Sequence, residues 1–248
     1  MILKENERIN KVNEGLSLIE RQDNLTFGTD AYLLSAYLPK RARSIGAELG
    51  LGSGIISLLA LSRGKCAKIY GFEVQDDIAR IAERNAELNG FTERLIILNK
   101  DLREASASDT DSEVDFVFSN PPYMKADSGK LNENTQKSIS RHELNGDIED
   151  FCSCAKRLLK HGGYFYLVYR PDRMIDLIDA MRKNSLEPKR ITFIHPNTST
   201  PPSLMLISAK LGGKGGLVID KPLYIYKDGT TEYTDEFKKI YESCTIEQ

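Results

Sequence analysis

The segment VDFVFSNPPYMK (114–125) runs apolar and then stops at Asn120-Pro121-Pro122-Tyr123. Two prolines cannot donate to a β ladder, so a strand must end there. The side-chain oxygen of Asn120 and the carbonyl of Pro121 can accept from both N–H bonds of a planar amine, such as an adenine exocyclic amine or a glutamine amide. The lone pair of such a nitrogen is delocalised and nucleophilically poor. Acceptors on both N–H bonds favour a pyramidal nitrogen with its lone pair aimed at an electrophile. The fixed φ angles of Pro121 and Pro122 hold the acceptors still, which is orientation plus electrostatic preorganisation. Tyr123 can stack on the planar target and favour the passing positive charge. Asn-Pro-Pro is also ordinary turn chemistry, so the motif carries weight only in company.

That company is Glu48-Leu49-Gly50-Leu51-Gly52-Ser53-Gly54. Closely spaced glycines between a strand and a helix let the backbone turn sharply and approach a ligand. Nicotinamide folds prefer G-x-G-x-x-G. Here the spacing is G-x-G-x-G, and Ile55 stands where that third glycine belongs. The pattern therefore leans toward S-adenosylmethionine (SAM), with Glu48, Gly50, Gly52 and Gly54 in the cofactor loop. Glu73, 19 residues after Gly54, ends the next strand and can accept both ribose hydroxyls. Asp101 ends the strand after that, where it can bond an adenine amine. Each acid has a plainer reading as a solvated turn residue.

These residues need a scaffold that puts them on one rim. Strands and helices alternate: SIGAEL, GIISLLALSR, KIYGFEV, DDIARIAERNAELNG, RLIILNKD and VDFVFS. After a polar stretch at 123–146 the alternation resumes with a helix IEDFCSCAKRLLKHGG stopped by glycine, the strand YFYLVYR, the helix DRMIDLIDAMRKN, and the strands KRITFIH and SLMLISAKL. Such alternation predicts a doubly wound, Rossmann-like α/β sheet, mostly parallel with an antiparallel end strand. Ligands in such sheets bind beyond the carboxyl ends of the strands, where the glycine loop and Asn120 both fall. Upstream, LSLIERQDNLTF (16–27) reads as two short strands, and Asp30 as the cap of a helix through AYLLSAYL. Downstream, the tail has a glycine-rich hinge, a short strand and a helix capped by Thr234. One domain is expected over 1–248: an N-terminal hairpin and helix at 1–40, a core at 41–211 and a C-terminal extension at 212–248.

The 248 residues are 40% hydrophobic and 28% charged, which excludes a disordered chain. The N-terminus lacks a signal-peptide pattern and no apolar run is long enough to span a membrane, so a cytoplasmic location is expected. Four cysteines (66, 152, 154, 244) and three histidines show no metal-ligand spacing, so reduced thiols and no metal are expected. Net charge is −2, yet residues 1–150 hold 19 basic and 25 acidic residues while 151–248 hold 15 and 11. The second part is thus mildly basic, the sign that attracts phosphates.

The chain resembles the class I SAM-dependent methyltransferases, and within them the bacterial tRNA (adenine-N6) methyltransferases that modify adenosine 37 of a valine tRNA. The resemblance rests on TFGTDAYLLSAY (26–37), ELGLGSGIISLLA (48–60), SNPPYMK (119–125), ISRHE (139–143), RLLKHGGYFYLVYRP (157–171), LEPKRITFIHP (186–196) and GGKGGL (212–217). It implies SAM contacts by Gly50, Gly52, Glu73, Asp101 and Asp30. It implies handling of the target base by Asn120, Pro121, Pro122 and Tyr123, and places Phe27, Arg141 and His142 near the RNA. The expected partner is tRNA, with no membrane and no metal; a monomer is the simplest oligomeric state. A sequence pI of about 6.0 departs from what an RNA enzyme would suggest. Two alternatives stand beside this reading: a protein glutamine-N5 methyltransferase, since the same motif grips an amide, and a non-catalytic RNA-binding factor on the same scaffold.

Overall fold

A computed structural model describes residues 3–21, 28–122 and 146–246. Along the chain come β1 (Glu7–Asn13), β2 (Leu16–Arg21), α1 (Thr29–Tyr37), β3 (Ile45–Leu49), α2 (Ile55–Ser62), β4 (Lys68–Glu73), α3 (Asp76–Leu88), β5 (Leu95–Asn99) and β6 (Val114–Ser119). Then follow α4 (Ile148–Leu158), β7 (Leu159–Tyr169), α5 (Met174–Lys183), β8 (Leu186–His195), β9 (Leu204–Leu211), β10 (Val218–Ile219), β11 (Leu223–Tyr224) and α6 (Asp235–Ser243).

The central strands β3, β4 and β6 are buried almost throughout, as their unbroken apolar runs require of strands covered on both faces. The main sheet runs β10-β8-β9-β7-β6-β3-β4-β5, with β11 also on β8. Its pairings are parallel except for β9, which lies antiparallel between β7 and β8 toward one end. One face is covered by α1, α2, α3 and α6 and the other by α4 and α5, each layer burying its own apolar cluster.

The chain leaves β3 through α2 toward β4 and β5, then returns to place β6 on the other side of β3. Strand order reverses between β3 and β6, and crevices open at such points beyond the carboxyl ends. Leu49 pairs with Ser119 in that register, and the buried Ser119 hydroxyl donates to the Leu49 carbonyl at 2.7 Å. Gly50 and Asn120 therefore leave the sheet side by side.

Several local expectations shift. The first strand expected in 16–27 is β2, but its hairpin partner is the upstream β1, and the pair turns where Gly15 N donates to the Asn13 side chain. Residues 22–27 are outside the described residues. Gly28, not Asp30, occupies the cap position of α1, and Asp30 sits within its first turn. The helix expected to run to Gly163 ends at Leu158, and β7 starts at the next residue, because Leu159 pairs with Val114 of β6. Thr234 does cap α6, accepting from Phe237 N at 3.1 Å. All four cysteines are buried and unbridged. No helix among the described residues is long and apolar enough to cross a membrane.

Candidate active site

At the reversal point lies a cavity of about 540 Å³, within the usual size range for cofactor sites. Its floor is the glycine loop, and Gly50, Gly52 and Gly54 adopt φ of +72°, +57° and +84°. Three left-handed positions in five residues exclude side chains from the loop and bring the backbone to the cavity edge. The loop is anchored by Gly50 N and Leu51 N, which both donate to Phe72 O at 3.0 and 2.9 Å.

Glu73 forms the far wall and is 5% exposed. Its two oxygens accept from Gly52 N and Gln75 N, each at 2.9 Å. A carboxylate has about four acceptor positions, so it keeps capacity for two ribose hydroxyls. Glu48 lines the cavity from β3 and accepts from the Ser57 backbone N–H at 3.2 Å and from the Ser57 hydroxyl. Burial pushes its carboxyl up to about 8, against the Ser57 bonds and with help from the Glu73 charge. Ile55, Ile56, Ile78 and Ile81 supply the apolar surface.

The opposite wall carries Asn120, with Asp30 across from it at the start of α1. The Asn120 side-chain N–H donates to Asp30 Oδ2 at 2.8 Å. Pro121 is buried and Pro122 half-buried immediately beyond. The structure thus brings together Asp30, Glu48, Gly50, Gly52, Glu73 and Asn120 around one cavity, with Gly54 closing the loop beneath as the cap of α2. Asp101 is placed otherwise. Its carboxylate binds the Arg103 guanidinium and accepts from Arg103 N at 2.9 Å, and it does not line the cavity. The Arg103 bonds hold that carboxyl below its ordinary range. Phe27, Tyr123, Arg141 and His142 lie outside the described residues. Among the described residues no group of His, Cys, Asp and Glu is arranged to hold a metal ion.

Sequence reasoning missed the roof. Ile19, Glu20 and Arg21 of β2 line the cavity. Their strand is held by two asparagines one turn apart, Asn85 in α3 and Asn89 at its C-terminal cap. Asn85 accepts from Ile19 N at 2.6 Å and donates to Ile19 O at 3.2 Å and to Ser53 O at 3.0 Å. Asn89 accepts from Ser17 N at 3.0 Å and donates to Ser17 O at 2.8 Å. Residues 17 and 19 point their backbone groups to the same side of a strand, and each asparagine acts as a surrogate neighbouring strand. The available signal was an asparagine, a poor helix former, inside an otherwise good helix, with a second one four residues on at the helix end.

The GGKGGL loop (212–217) is far from this cavity. It follows β9 at the end of the sheet where β7 begins, beside His161, Lys189 and Lys210.

The chain is similar to known proteins in sequence and in architecture. Residues 43–162 match the family model described as Conserved hypothetical protein 95. A tRNA1(Val) (adenine(37)-N6)-methyltransferase of Parabacteroides distasonis is 29% identical over 180 residues, 73% of this chain and 74% of that protein. A protein of the same name in Dyadobacter fermentans is 24% identical over 217 residues, 87% of this chain and 88% of that protein. A solved structure of a predicted O-methyltransferase from Agrobacterium tumefaciens matches with a TM-score of 0.69 at 24% identity, over 88% of this chain and 98% of that one. The M. jannaschii TYW2 structure in complex with AdoMet matches with a TM-score of 0.56 at 14% identity, over 85% and 87% of the two chains. In architecture the molecule has a methyltransferase fold, and in sequence it resembles the bacterial tRNA1(Val) (adenine(37)-N6)-methyltransferases over most of its length.

Proposed function

We propose that this protein is a SAM-dependent methyltransferase that modifies the exocyclic N6 amine of an adenine in tRNA, adenosine 37 of a valine tRNA being the target its relatives' names suggest. The observation that carries the reading is the placement of Asn120 on the rim of the cavity formed by the glycine loop and Glu73. The residues fit the cofactor: Glu73 retains acceptor capacity for ribose hydroxyls, and the loop backbone and isoleucines offer a narrow, partly apolar cradle.

SAM, when bound, supplies an electrophilic methyl group on sulfur and leaves as S-adenosylhomocysteine. The protein's own work is orientation. The Asn120 oxygen and the Pro121 carbonyl accept from the two N–H bonds of the target amine and turn its lone pair toward the methyl. A new N–C bond forms as the S–C bond breaks, and the methylated nitrogen, now acidic, sheds one proton to solvent. No strong general base is required. Tyr123, outside the described residues, has its stacking role on the adenine from the sequence and its resemblance alone. An unpaired anticodon-loop base is cheap to extrude from its stack.

The test is mass spectrometry of nucleosides from total tRNA of a strain lacking the gene, after incubation with pure protein and SAM. New N6-methyladenosine is expected. Its absence with a preparation that binds SAM overturns the substrate assignment and points to a glutamine amide.

A further inference from the structure

We infer that Asp30 is the positioning residue for Asn120: its carboxylate fixes which end of the Asn120 amide faces the substrate. The inference rests on the proposed role of Asn120 and assigns Asp30 a function beyond contact with the cofactor.

The two ends of an asparagine amide are nearly the same size, so shape alone does not choose between them. Hydrogen bonding does. If the NH2 end faced the substrate, it would oppose an amine that is itself a donor, and the lone pair would not be freed. An ionised carboxylate has no hydrogen to give and accepts only. Asp30 Oδ2, 2.8 Å from Asn120 Nδ2, therefore selects the NH2 end and turns Oδ1 away from itself. The bond spans 90 residues of sequence and ties α1 to the end of β6.

Asp30 is itself held. Its other oxygen, Oδ1, accepts from Ala31 N at 2.9 Å in the first turn of α1, where the helix dipole favours negative charge. That oxygen folds back over Gly28, where an added Cβ would come within 2.8 Å of it. Glycine at 28 makes room for the carboxylate, and the Gly28-Thr29-Asp30 run reads as a mount for one side chain.

The experiment exchanges the partners. Asp30→Asn alone leaves an amide opposite an amide, with no fixed choice of ends. Asn120→Asp alone sets two carboxylates against each other. Combining Asp30→Asn with Asn120→Asp restores one donor–acceptor bond with its polarity reversed and still presents an acceptor oxygen to the substrate. Methyl transfer to tRNA is measured in single turnover at saturating SAM, and SAM affinity by calorimetry. Asp30→Asn is expected to slow single-turnover transfer at saturating SAM about 10- to 100-fold, the scale of a small misplacement of reacting groups and a loss that added SAM does not restore. The exchanged pair is expected to transfer at least about fivefold faster than either single variant, a non-additivity that only interacting partners show. An exchanged pair no faster than the slower single variant, or an Asp30→Asn rate that returns to wild type as SAM is raised, overturns the inference.

A readout without substrate separates this outcome from failure of the parent reading. The Asn120 side-chain NH2 resonance, assigned by its loss in Asn120→Ala, is expected to exchange slowly with solvent in wild type and rapidly in Asp30→Asn. Equal exchange in the two proteins refutes the hydrogen bond whatever the substrate proves to be. Absence of tRNA methylation by wild type refutes the function alone.

Discussion

Asn120 and Glu48 both border the cavity, yet their chemistry differs because their surroundings do. Asn120 is half-buried and presents a neutral acceptor, so its removal should leave folding and SAM binding intact. Asn120→Ala is expected to bind SAM as wild type does and to transfer methyl about 100-fold more slowly, the scale for deleting one preorganised hydrogen-bond partner of a transition state. Near-wild-type single-turnover rates would remove it from the mechanism. Glu48 is fully buried, and burial raises its folded-state pKa from 4.5 to about 8. Between those values the folded chain holds a proton that the unfolded chain has lost, so stability falls as pH rises from about 4.5 to 8. Glu48→Gln keeps the acceptor for Ser57 and cannot ionise. Its unfolding free energy without SAM should be close to wild type at pH 5 and exceed it at pH 8.5, by on the order of 3 kcal/mol. Parallel pH profiles for the two proteins would show that Glu48 is not the group responsible. At this scale the sequence placed Glu73 and Asn120 where the structure has them, at strand ends bordering one cavity. It did not foresee that Asp101, with a basic residue two positions on, pairs locally with Arg103.

The elements were legible where they are amphipathic or continuously apolar. The buried parallel strands announce themselves because both faces must be covered, as in Ile69–Phe72 and Phe116–Phe118. The hairpin did so only in part: β2 falls on the first strand expected in 16–27, but β1 is polar, with Arg8 and Lys11 exposed, and the far edge of β2 is met by side chains instead of a third strand. The end of α4 was misplaced for a related reason, since the glycines of KHGG read as a helix stop although pairing with β6 recruits Leu159 into β7. The asparagine clamp makes its own prediction. Asn85→Ala strands the backbone N–H and C=O of Ile19 and the carbonyl of Ser53, each buried polar group costing about 1–3 kcal/mol if left unpaired. We expect a loss of roughly 2–4 kcal/mol, faster amide exchange at Ile19, and, if the cavity is the SAM site, weaker SAM binding because Ser53 lines it. Asn85→Asp is the sharper variant: it can still accept from Ile19 N–H but sets a carboxylate against two carbonyl oxygens, so it should be no better than alanine. Unchanged Ile19 exchange in both variants would mean that the hairpin is held by its other contacts.

Across the whole molecule, the C-terminal segment is joined to the site through α1. After β9 the chain crosses to β8, where β10 and β11 pair in parallel, and α6 then packs on α1, whose first turn carries Asp30. Tyr241 stacks on Tyr32 with ring centroids 4.2 Å apart, and Cys244 Sγ donates to the Ser35 hydroxyl at 3.2 Å. Below them, the buried ammonium of Lys65 donates to Ala36 O and Leu38 O at 2.9 and 2.7 Å, meeting the carbonyls left open at the end of α1. If the tail and core fold as one unit, a defect in α6 must register in the whole transition. Phe237 is the probe, being 1% exposed within the same apolar cluster as α1 and α2. Phe237→Ala should cost about 3–5 kcal/mol. In a chain of this size that lowers the midpoint of thermal unfolding by about 6–15 °C. Loss of ellipticity and loss of SAM-analogue protection should shift together in one transition. A first, separate melting step in which cofactor affinity survives would show that the C-terminal segment folds apart from the core and that α1 does not need it to hold Asp30.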